Sequence, residues 1–162
     1  TTTGPVAPLF WRDSYALGYA PMDDTHREFV ECVAAAQRAG DAELPAALEV
    51  LAAHCDRHFE EENRWMRETG FPSTDCHVEQ HDAVLASVVE VHALCARGER
   101  EVCRSLAQAL ADWFPGHATY LDSALAHWMV HRRFGGKPVV IHRSTARPNH
   151  PHAGTLTALA NS

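Results

Sequence analysis

Two pairs of potential metal-ligating side chains lie four residues apart in the chain. His58 precedes Glu62 by four residues, and His77 precedes His81 by the same interval. This spacing places both members of each pair on one face of an α-helix, one turn apart. Apolar residues continue the same face in both segments, so we expect these polar groups inside the protein. Buried imidazoles and carboxylates need partners, and a bound metal ion is a partner for several of them at once.

Two further segments carry histidine on their apolar faces. His26 shares its face with Phe29, and His117 follows Trp113 by one turn. Asp122 comes five residues after His117. Five residues correspond to about 140° around an ideal helix, so this alignment is poorer than that of a spacing of four. The residues predict at least one inward ligand on each of four helices, which is how helix bundles hold metals in their cores.

The types of the candidate ligands indicate the metal. Five imidazoles and two carboxylates exceed what one tetrahedral zinc ion accepts, and they are too rich in nitrogen for calcium or magnesium. Imidazole mixed with carboxylate suits iron or manganese, and a set of this size suits two ions that carboxylates bridge. A mononuclear zinc site is the weakest alternative. The candidates are His26, His58, Glu62, His77, His81, His117 and Asp122.

Four helix-length segments would position these residues. Apolar periodicity and turn signals predict helices over about 23–40, 41–70, 73–98 and 99–136, each with glycine at or near its end. Asp23 or Asp24 is the expected N-terminal cap of the first helix. Pro115 should kink or break the fourth helix, because proline cannot donate a backbone hydrogen bond. Short links between long helices favour an all-α fold, an antiparallel up-and-down four-helix bundle.

Two flanks lie outside this bundle, which we assign to residues 22–136. Residues 1–21 form an N-terminal arm whose aromatic side chains we expect to pack on the bundle. Residues 137–162 form a basic C-terminal extension with one strand-like run at 138–141. The rest of this extension is rich in Pro, His, Ser and Thr, a composition typical of a partly mobile tail.

The composition excludes several classes of function. The chain has 162 residues, 12 of them histidine, and a formal net charge of -7. Residues 123–162 hold five basic residues and no acid, which leaves 9 bases against 21 acids, or -12, in residues 1–122. An acidic total argues against general nucleic-acid binding. No apolar run approaches the roughly 20 residues that span a bilayer, so we expect no membrane partner either.

The five cysteines and the absence of a secretion signal bear on location. No basic stretch followed by an apolar run marks a signal peptide. The cysteine count is odd and no Cys-x-x-Cys pair is present, which favours small buried thiols over disulfides or a zinc knuckle. We therefore expect a cytoplasmic protein.

Taken together with their flanking residues, the candidate ligands resemble those of the hemerythrins, in particular the bacterial hemerythrins. The matching elements follow one another in order over residues 11 to about 130, and their common register makes the resemblance specific. They are Tyr15-Ala-Leu-Gly18 before Met22-Asp23-Asp24-Thr25-His26, then His58-Phe59 with Glu62 and Met66, Gly70-Phe71-Pro72, His77-x-x-x-His81 and Trp113-x-x-x-His117-x-x-x-x-Asp122.

The resemblance implies two iron ions bridged by Glu62, Asp122 and an oxo or hydroxo group. It gives three imidazoles to one iron and two to the other, so that the second iron keeps one position open for dioxygen. The first iron would be held by His77, His81 and His117, and the second by His26 and His58.

Reversible oxygen binding needs a dry, apolar pocket, because the surroundings and the access of solvent tune what a metal does. We expect its wall to contain residues that also serve as core packing. The resemblance implies a non-haem diiron protein that binds dioxygen reversibly for storage, delivery or sensing, not an enzyme, with a redox or oxygen-accepting protein as a further partner. The expected wall residues are Leu51, Phe59, Trp113 and Phe114.

Several positions depart from the family pattern and keep other functions open. Asn63 replaces a glutamate that is common after the bridging one, and Pro115 and Ala118 alter the segment around the fourth-helix histidine. The alternatives are a diiron enzyme that reduces nitric oxide or peroxide, and an iron-handling protein. The His-x-x-x-x-Asp spacing speaks against the latter. Two smaller departures are Thr25, where the family commonly has a glutamine before the first ligand, and Leu125, where it commonly has a tyrosine three residues after the bridging aspartate.

The other histidines before residue 137 are assigned simpler roles. His54 lies one turn before His58 and is expected to be an outer hydrogen-bonding partner or a surface residue. His92 falls on an inward face and is expected in the core. His127 and His131 are expected to be solvated.

Overall fold

Helices dominate residues 6–133, the part of the chain that this computed structural model describes. A short 3-10 turn, Asp13–Tyr15, precedes them. The helices are α1 (Ala20–Arg38), α2 (Leu44–Thr69), α3 (Thr74–Ala96), α4 (Arg100–His117) and α5 (Ser123–Arg133), with a π-helical turn, Ala118–Asp122, between the last two. The predicted extension 137–162, including the run at 138–141, lies outside the described residues.

The helices form the predicted antiparallel four-helix bundle, in which α4, the π turn and α5 together make the fourth long element. Helix α1 packs against α2 and α4, and α3 packs against the same two helices. The links 39–43, 70–73 and 97–99 are too short for anything but a reversal of direction. A membrane crossing would need a longer apolar stretch than any helix within residues 6–133 provides.

Glycine ends α2 and α3 as the sequence predicted. Gly70 follows α2 with a φ of 66°, a left-handed conformation that residues with a Cβ adopt at a cost. The backbone N–H of Phe71 then donates to the carbonyl of Met66 at 2.9 Å and closes the helix end. Gly98 has a φ of 97° directly after the last turn of α3.

The start of α1 differs from the prediction. The helix begins at Ala20, with Pro21 in its first turn, so the predicted boundary between arm and bundle at 21–22 falls inside the helix. Asp23 is not a cap. Its carboxylate oxygens accept hydrogen bonds from the backbone N–H groups of Leu17 at 2.7 Å and Gly18 at 3.0 Å. The Asp23 carboxylate therefore binds the backbone of the preceding loop and does not cap the start of α1.

Of the kink or break predicted at Pro115, the break does not occur. Helix α4 runs through Pro115 to His117, and the irregularity follows in the π turn. There the backbone N–H of Ser123 donates to the carbonyl of Ala118, five residues earlier. A π turn of this kind inserts one residue relative to an α-helix.

The core is divided into two apolar clusters with a polar layer between them. On α1, for example, His26 lies between Met22 of the smaller cluster and Phe29 of the larger one. The larger cluster includes Phe29, Val33, Leu48, Phe59, Val88, Leu110 and Phe114. The smaller cluster includes Tyr19, Met22, Met66, Phe71 and Leu125.

The N-terminal segment lies against α1 and α4. The ring of Tyr15 meets that of Phe114 edge to face, with centroids 5.4 Å apart, and the Trp11 ring contacts Tyr15 in the same way at 5.8 Å. The guanidinium of Arg27 stands 4.6 Å over the Trp11 ring. These contacts bring aromatic residues of the segment to the outer side of a buried ring in α4.

Candidate metal centre

All seven predicted ligands meet in the polar layer between the two apolar clusters, and none is more than 5% exposed. Their potential ligand atoms form two groups that share Glu62, and within each group the atoms lie within 4.8 Å of one another. One group contains Glu62, His77, His81, His117 and Asp122, and the other contains His26, His58 and Glu62.

The carboxylate of Glu62 faces both groups of imidazoles. Its Oε1 atom is 2.9 Å from Nε2 of His58 and 3.2 Å from Nε2 of His26. Its Oε2 atom is 3.2 Å from Nε2 of His81 and 3.6 Å from Nε2 of His77. One oxygen thus faces the two-imidazole group and the other faces the three-imidazole group.

The carboxylate of Asp122 likewise faces both groups of imidazoles. Its Oδ2 atom is 3.2 Å from Nε2 of His26. Its Oδ1 atom is 2.9 Å from Nε2 of His77 and 3.1 Å from Nε2 of His117. The π turn therefore brings Asp122 into the layer, although its spacing of five from His117 would align the two residues poorly on a regular α-helix.

The ligand atoms are arranged to bind cations and cannot all form hydrogen bonds with one another. The Nε2 atom of His117 is 3.3 Å from that of His77 and 3.2 Å from that of His81, and at most one nitrogen in each such pair can donate. Oε2 of Glu62 and both oxygens of Asp122 are buried, and none of the imidazole N–H groups 2.9 to 3.6 Å away is aligned to donate a hydrogen bond to them. Buried charged groups in this state are strongly penalised, and bound metal ions would satisfy all of them. The buried His/Glu/Asp cluster is therefore a candidate metal site.

The electrostatics of the layer favour a cation too. Burial by itself lowers the pKa of His26, but the carboxylates of Asp122 and Glu62 outweigh burial and raise it to about 10. Burial raises the pKa of Glu62, and His58 with the other facing imidazoles reverses this and holds it well below its ordinary value. For Asp122 the facing imidazoles likewise outweigh burial and lower the pKa. Both carboxylates are ionised, and metal binding would displace the proton of His26.

Two ligands have outer hydrogen-bonding partners that sequence reasoning missed. Nδ1 of His81 is 2.7 Å from Oδ1 of Asn63, and Nδ1 of His117 is 3.3 Å from Oε1 of Gln80. An imidazole that binds metal through Nε2 carries its proton on Nδ1, so both amide oxygens accept. The only available signal was that each amide directly adjoins a candidate ligand in sequence, Asn63 after Glu62 and Gln80 before His81.

His54 is buried beside the two-imidazole group. Its ring lies 5.3 Å from that of His58, and its Nδ1 is 3.7 Å from a carboxylate oxygen of Glu28, beyond hydrogen-bond distance. Burial and the positive charges of neighbouring groups lower the pKa of His54 to about 4.

The other three histidines within residues 6–133 lie outside the site. His92 is half-buried and not in the core, so the prediction that it is a core residue was wrong. His127 and His131 are exposed, as expected.

Two of the four predicted wall residues stack on imidazoles of the three-imidazole group. The ring of Phe59 lies parallel to that of His81, with centroids 4.3 Å apart and planes 8° apart. Trp113 stacks on His117 at 4.2 Å with planes 26° apart. Both aromatic rings therefore fix the orientation of a candidate ligand.

Aromatic rings also line the two-imidazole side. Phe114 meets His26 edge to face at 5.3 Å. Phe29, which sequence reasoning did not assign to the wall, lies 5.8 Å from His58 and 5.1 Å from Phe114. Its spacing of three from His26 was the signal for this role. Leu51 is fully buried in the larger apolar cluster.

Known proteins are similar to this chain over most of its length. The family model of the hemerythrin HHE cation binding domain matches residues 17–129. A bacteriohemerythrin of Ralstonia nicotianae is 35% identical over 122 residues, which cover 75% of this chain and 89% of that protein. A bacteriohemerythrin of Stenotrophomonas maltophilia is 25% identical over 134 residues, covering 75% of this chain and 85% of that protein.

A solved structure supports the fold. The crystal structure of a hemerythrin with a leucine-to-tyrosine substitution superimposes with a TM-score of 0.66 at 21% identity, covering 75% of this chain and 99% of that one. The family match spans most of the chain and includes every residue of the candidate site. The chain therefore belongs to the hemerythrin family and resembles its bacterial members, the bacteriohemerythrins.

Proposed function

We propose that this chain is a non-haem diiron protein that binds dioxygen reversibly, in oxygen storage, delivery or sensing. The observation that carries the proposal is the orientation of Glu62 and Asp122. Each directs one oxygen to the three-imidazole group and the other to the two-imidazole group, at 2.9 to 3.6 Å from the facing nitrogens. This arrangement supports two ions with both carboxylates as bridges.

The two ions would have different numbers of protein ligands. One ion would have three imidazoles and two carboxylate oxygens from the protein, and the other would have one imidazole fewer. Imidazole and carboxylate ligands together suit iron. When bound, the iron pair supplies both the electrons and the open position that reversible oxygen binding requires. The proposed ligands are His77, His81 and His117 for one iron, His26 and His58 for the other, and Glu62 and Asp122 as bridges with an oxo or hydroxo group.

The residues of the chain keep the open side dry. Phe114 contacts His26 and Phe29 contacts His58, so an aromatic ring lies against each imidazole of the ion with the open position. Leu51, Phe59 and Trp113 complete the proposed wall. Excluding water from such a site limits protonation of the ligand and loss of the reduced state.

Location and partners form part of the proposal. All five cysteines are free, three of them buried, as in proteins of a reducing compartment. This favours a cytoplasmic location, where a redox or oxygen-accepting protein would exchange electrons or oxygen with the site.

The test is a spectrum of the ferrous protein with and without oxygen. Protein reconstituted with two irons under argon should develop near-ultraviolet and visible bands in air and lose them on return to argon over repeated cycles. A His58→Ala variant should lose these bands, whereas His92→Ala, which alters a half-buried histidine outside the site, should keep them. Irreversible bleaching to the ferric state would exclude reversible binding and favour an enzyme that consumes oxidant. One zinc per chain would exclude the diiron assignment.

A further inference from the structure

Asn63 is a buried residue that is not a candidate metal ligand itself but forms a hydrogen bond with one. It lies on α2, is 5% exposed, and its Oδ1 atom is 2.7 Å from Nδ1 of His81 on α3. This is the shorter of the two outer hydrogen bonds, since Gln80 is 3.3 Å from His117. With Nε2 of His81 facing Glu62, the geometry fixes Nδ1 as the donor and the amide oxygen of Asn63 as the acceptor.

Within residues 6–133, the carboxylates that lie within 3.6 Å of a candidate ligand imidazole are Glu62 and Asp122. The buried acidic side chains within residues 6–133 are Asp23, Glu62 and Asp122. Asp23 is engaged by the backbone of the preceding loop, 2.7 Å from the nitrogen of Leu17. The outer partners of His81 and His117 are thus uncharged amides, and Nδ1 of His77 has no hydrogen-bond partner.

The charge of an outer acceptor changes the electronic character of the imidazole it holds. A carboxylate at this position would draw the Nδ1 proton strongly, make the imidazole a better electron donor and stabilise the ferric ion. A neutral amide fixes the ring equally well but draws the proton less. In a buried site of low dielectric this difference acts with little screening.

We propose that Asn63 is a positioning residue that orients His81 while keeping the reduction potential of the centre high. The inference rests on the diiron occupancy proposed above. On this inference, the uncharged amide oxygen of Asn63 helps to stabilise the reduced, oxygen-binding state.

The decisive variant is Asn63→Asp, which replaces the amide by a carboxylate of the same size. Reductive titration of the two-iron protein under argon should show the ferric form favoured about tenfold more than in the unaltered protein, a potential lower by about 59 mV for a one-electron step. Asn63→Leu, which removes the acceptor without adding charge, should weaken iron binding by about 10-fold without lowering the potential. Ala86→Glu places the new charge on an exposed position of α3 and should leave the potential unchanged.

An unchanged potential in Asn63→Asp would overturn the inference, as would equal shifts in Asn63→Asp and Asn63→Leu, because these would indicate a packing effect. If Asn63→Asp does not hold two irons, Asn63→Glu carries the test with a longer carboxylate at the same buried position. Its potential should fall in the same direction, and no fall would overturn the inference. The potential is measured without oxygen, so a shift combined with irreversible bleaching in air would reject the proposed function and leave the role of Asn63 standing.

Discussion

His117 and Asp122 lie five residues apart in sequence, yet Nε2 of His117 is 3.1 Å from Oδ1 of Asp122. In a regular α-helix this spacing would turn the two side chains about 140° apart. The π turn between them, closed by the bond from Ser123 to Ala118, lets both face the polar layer. The other oxygen of Asp122 then reaches His26 of α1 at 3.2 Å. A local change of helix type thus connects ligands of two helices.

The first prediction concerns this connection. Asp122→Asn removes the negative charge that faces both imidazole groups, so we expect iron affinity to fall by about 10- to 100-fold and retained iron to drop below two per chain. Iron counting after dialysis against a competing chelator measures this. Asp112→Asn, which alters an exposed carboxylate of α4, should retain two irons. Unchanged affinity in Asp122→Asn would rule out the bridging role.

The second prediction is a pH dependence of stability due to His54. Its pKa in the folded protein is lowered to about 4, first by burial and then by the charge of His58, below an unfolded value of about 6.5. Between these values the unfolded chain binds a proton that the folded chain does not. The contribution of neutral His54 is therefore fully present above pH ~6.5 and is lost as the pH falls toward ~4.

Urea unfolding of the metal-free protein at several pH values tests this. Relative to His54→Gln, the unaltered protein should lose stability more steeply below pH ~6.5, by at most about 1.4 kcal/mol per pH unit. Above that pH the difference between the two proteins should be constant. Parallel curves across the whole range would show that His54 is not held neutral by the fold.

The ligand positions were predictable because they depend on short-range periodicity. A spacing of four places His58 with Glu62 and His77 with His81 on apolar faces whatever the rest of the fold does. The helix ends at Gly70 and Gly98 were predictable for the same reason, since a left-handed residue ends a helix locally.

The remaining features depend on contacts between distant segments. Nothing in the residues between His117 and Asp122 distinguishes a π turn from an α-helix, and that turn positions Asp122 against α1. The bond between Asn63 and His81 joins residues 18 positions apart on different helices. Asp23 was assigned to a helix cap because its competing partner, the backbone of the preceding loop, has no signature in the sequence.

The third prediction concerns thiol reactivity. Cys76 is exposed, whereas Cys55 is buried and burial raises its pKa to about 12. Because the thiolate is the reactive form, one thiol should react rapidly with a thiol reagent in the native protein and all five should react in denaturant. Cys76→Ser should abolish the rapid phase. Rapid modification of Cys55 in the native protein would contradict the burial of this part of α2.

The fourth prediction concerns the aromatic ring over the two-imidazole side. Phe114 is 1% exposed and packs against His26, Phe29 and Tyr15. Phe114→Ala should lower the free energy of unfolding by about 3–5 kcal/mol, because it leaves a cavity in a well-packed core. Phe10→Ala, at a ring that is 56% exposed, should change it far less.

The same variant separates packing from protection of the metals. If Phe114 excludes water from the open coordination position, Phe114→Ala with two irons bound should bleach faster in air than the unaltered protein, at a temperature where both are folded. Phe10→Ala should bleach at the unaltered rate. A destabilised Phe114→Ala that bleaches no faster would mean that this ring stabilises the bundle without controlling access to the metals, and Phe29 beside His58 would then be the residue to alter next.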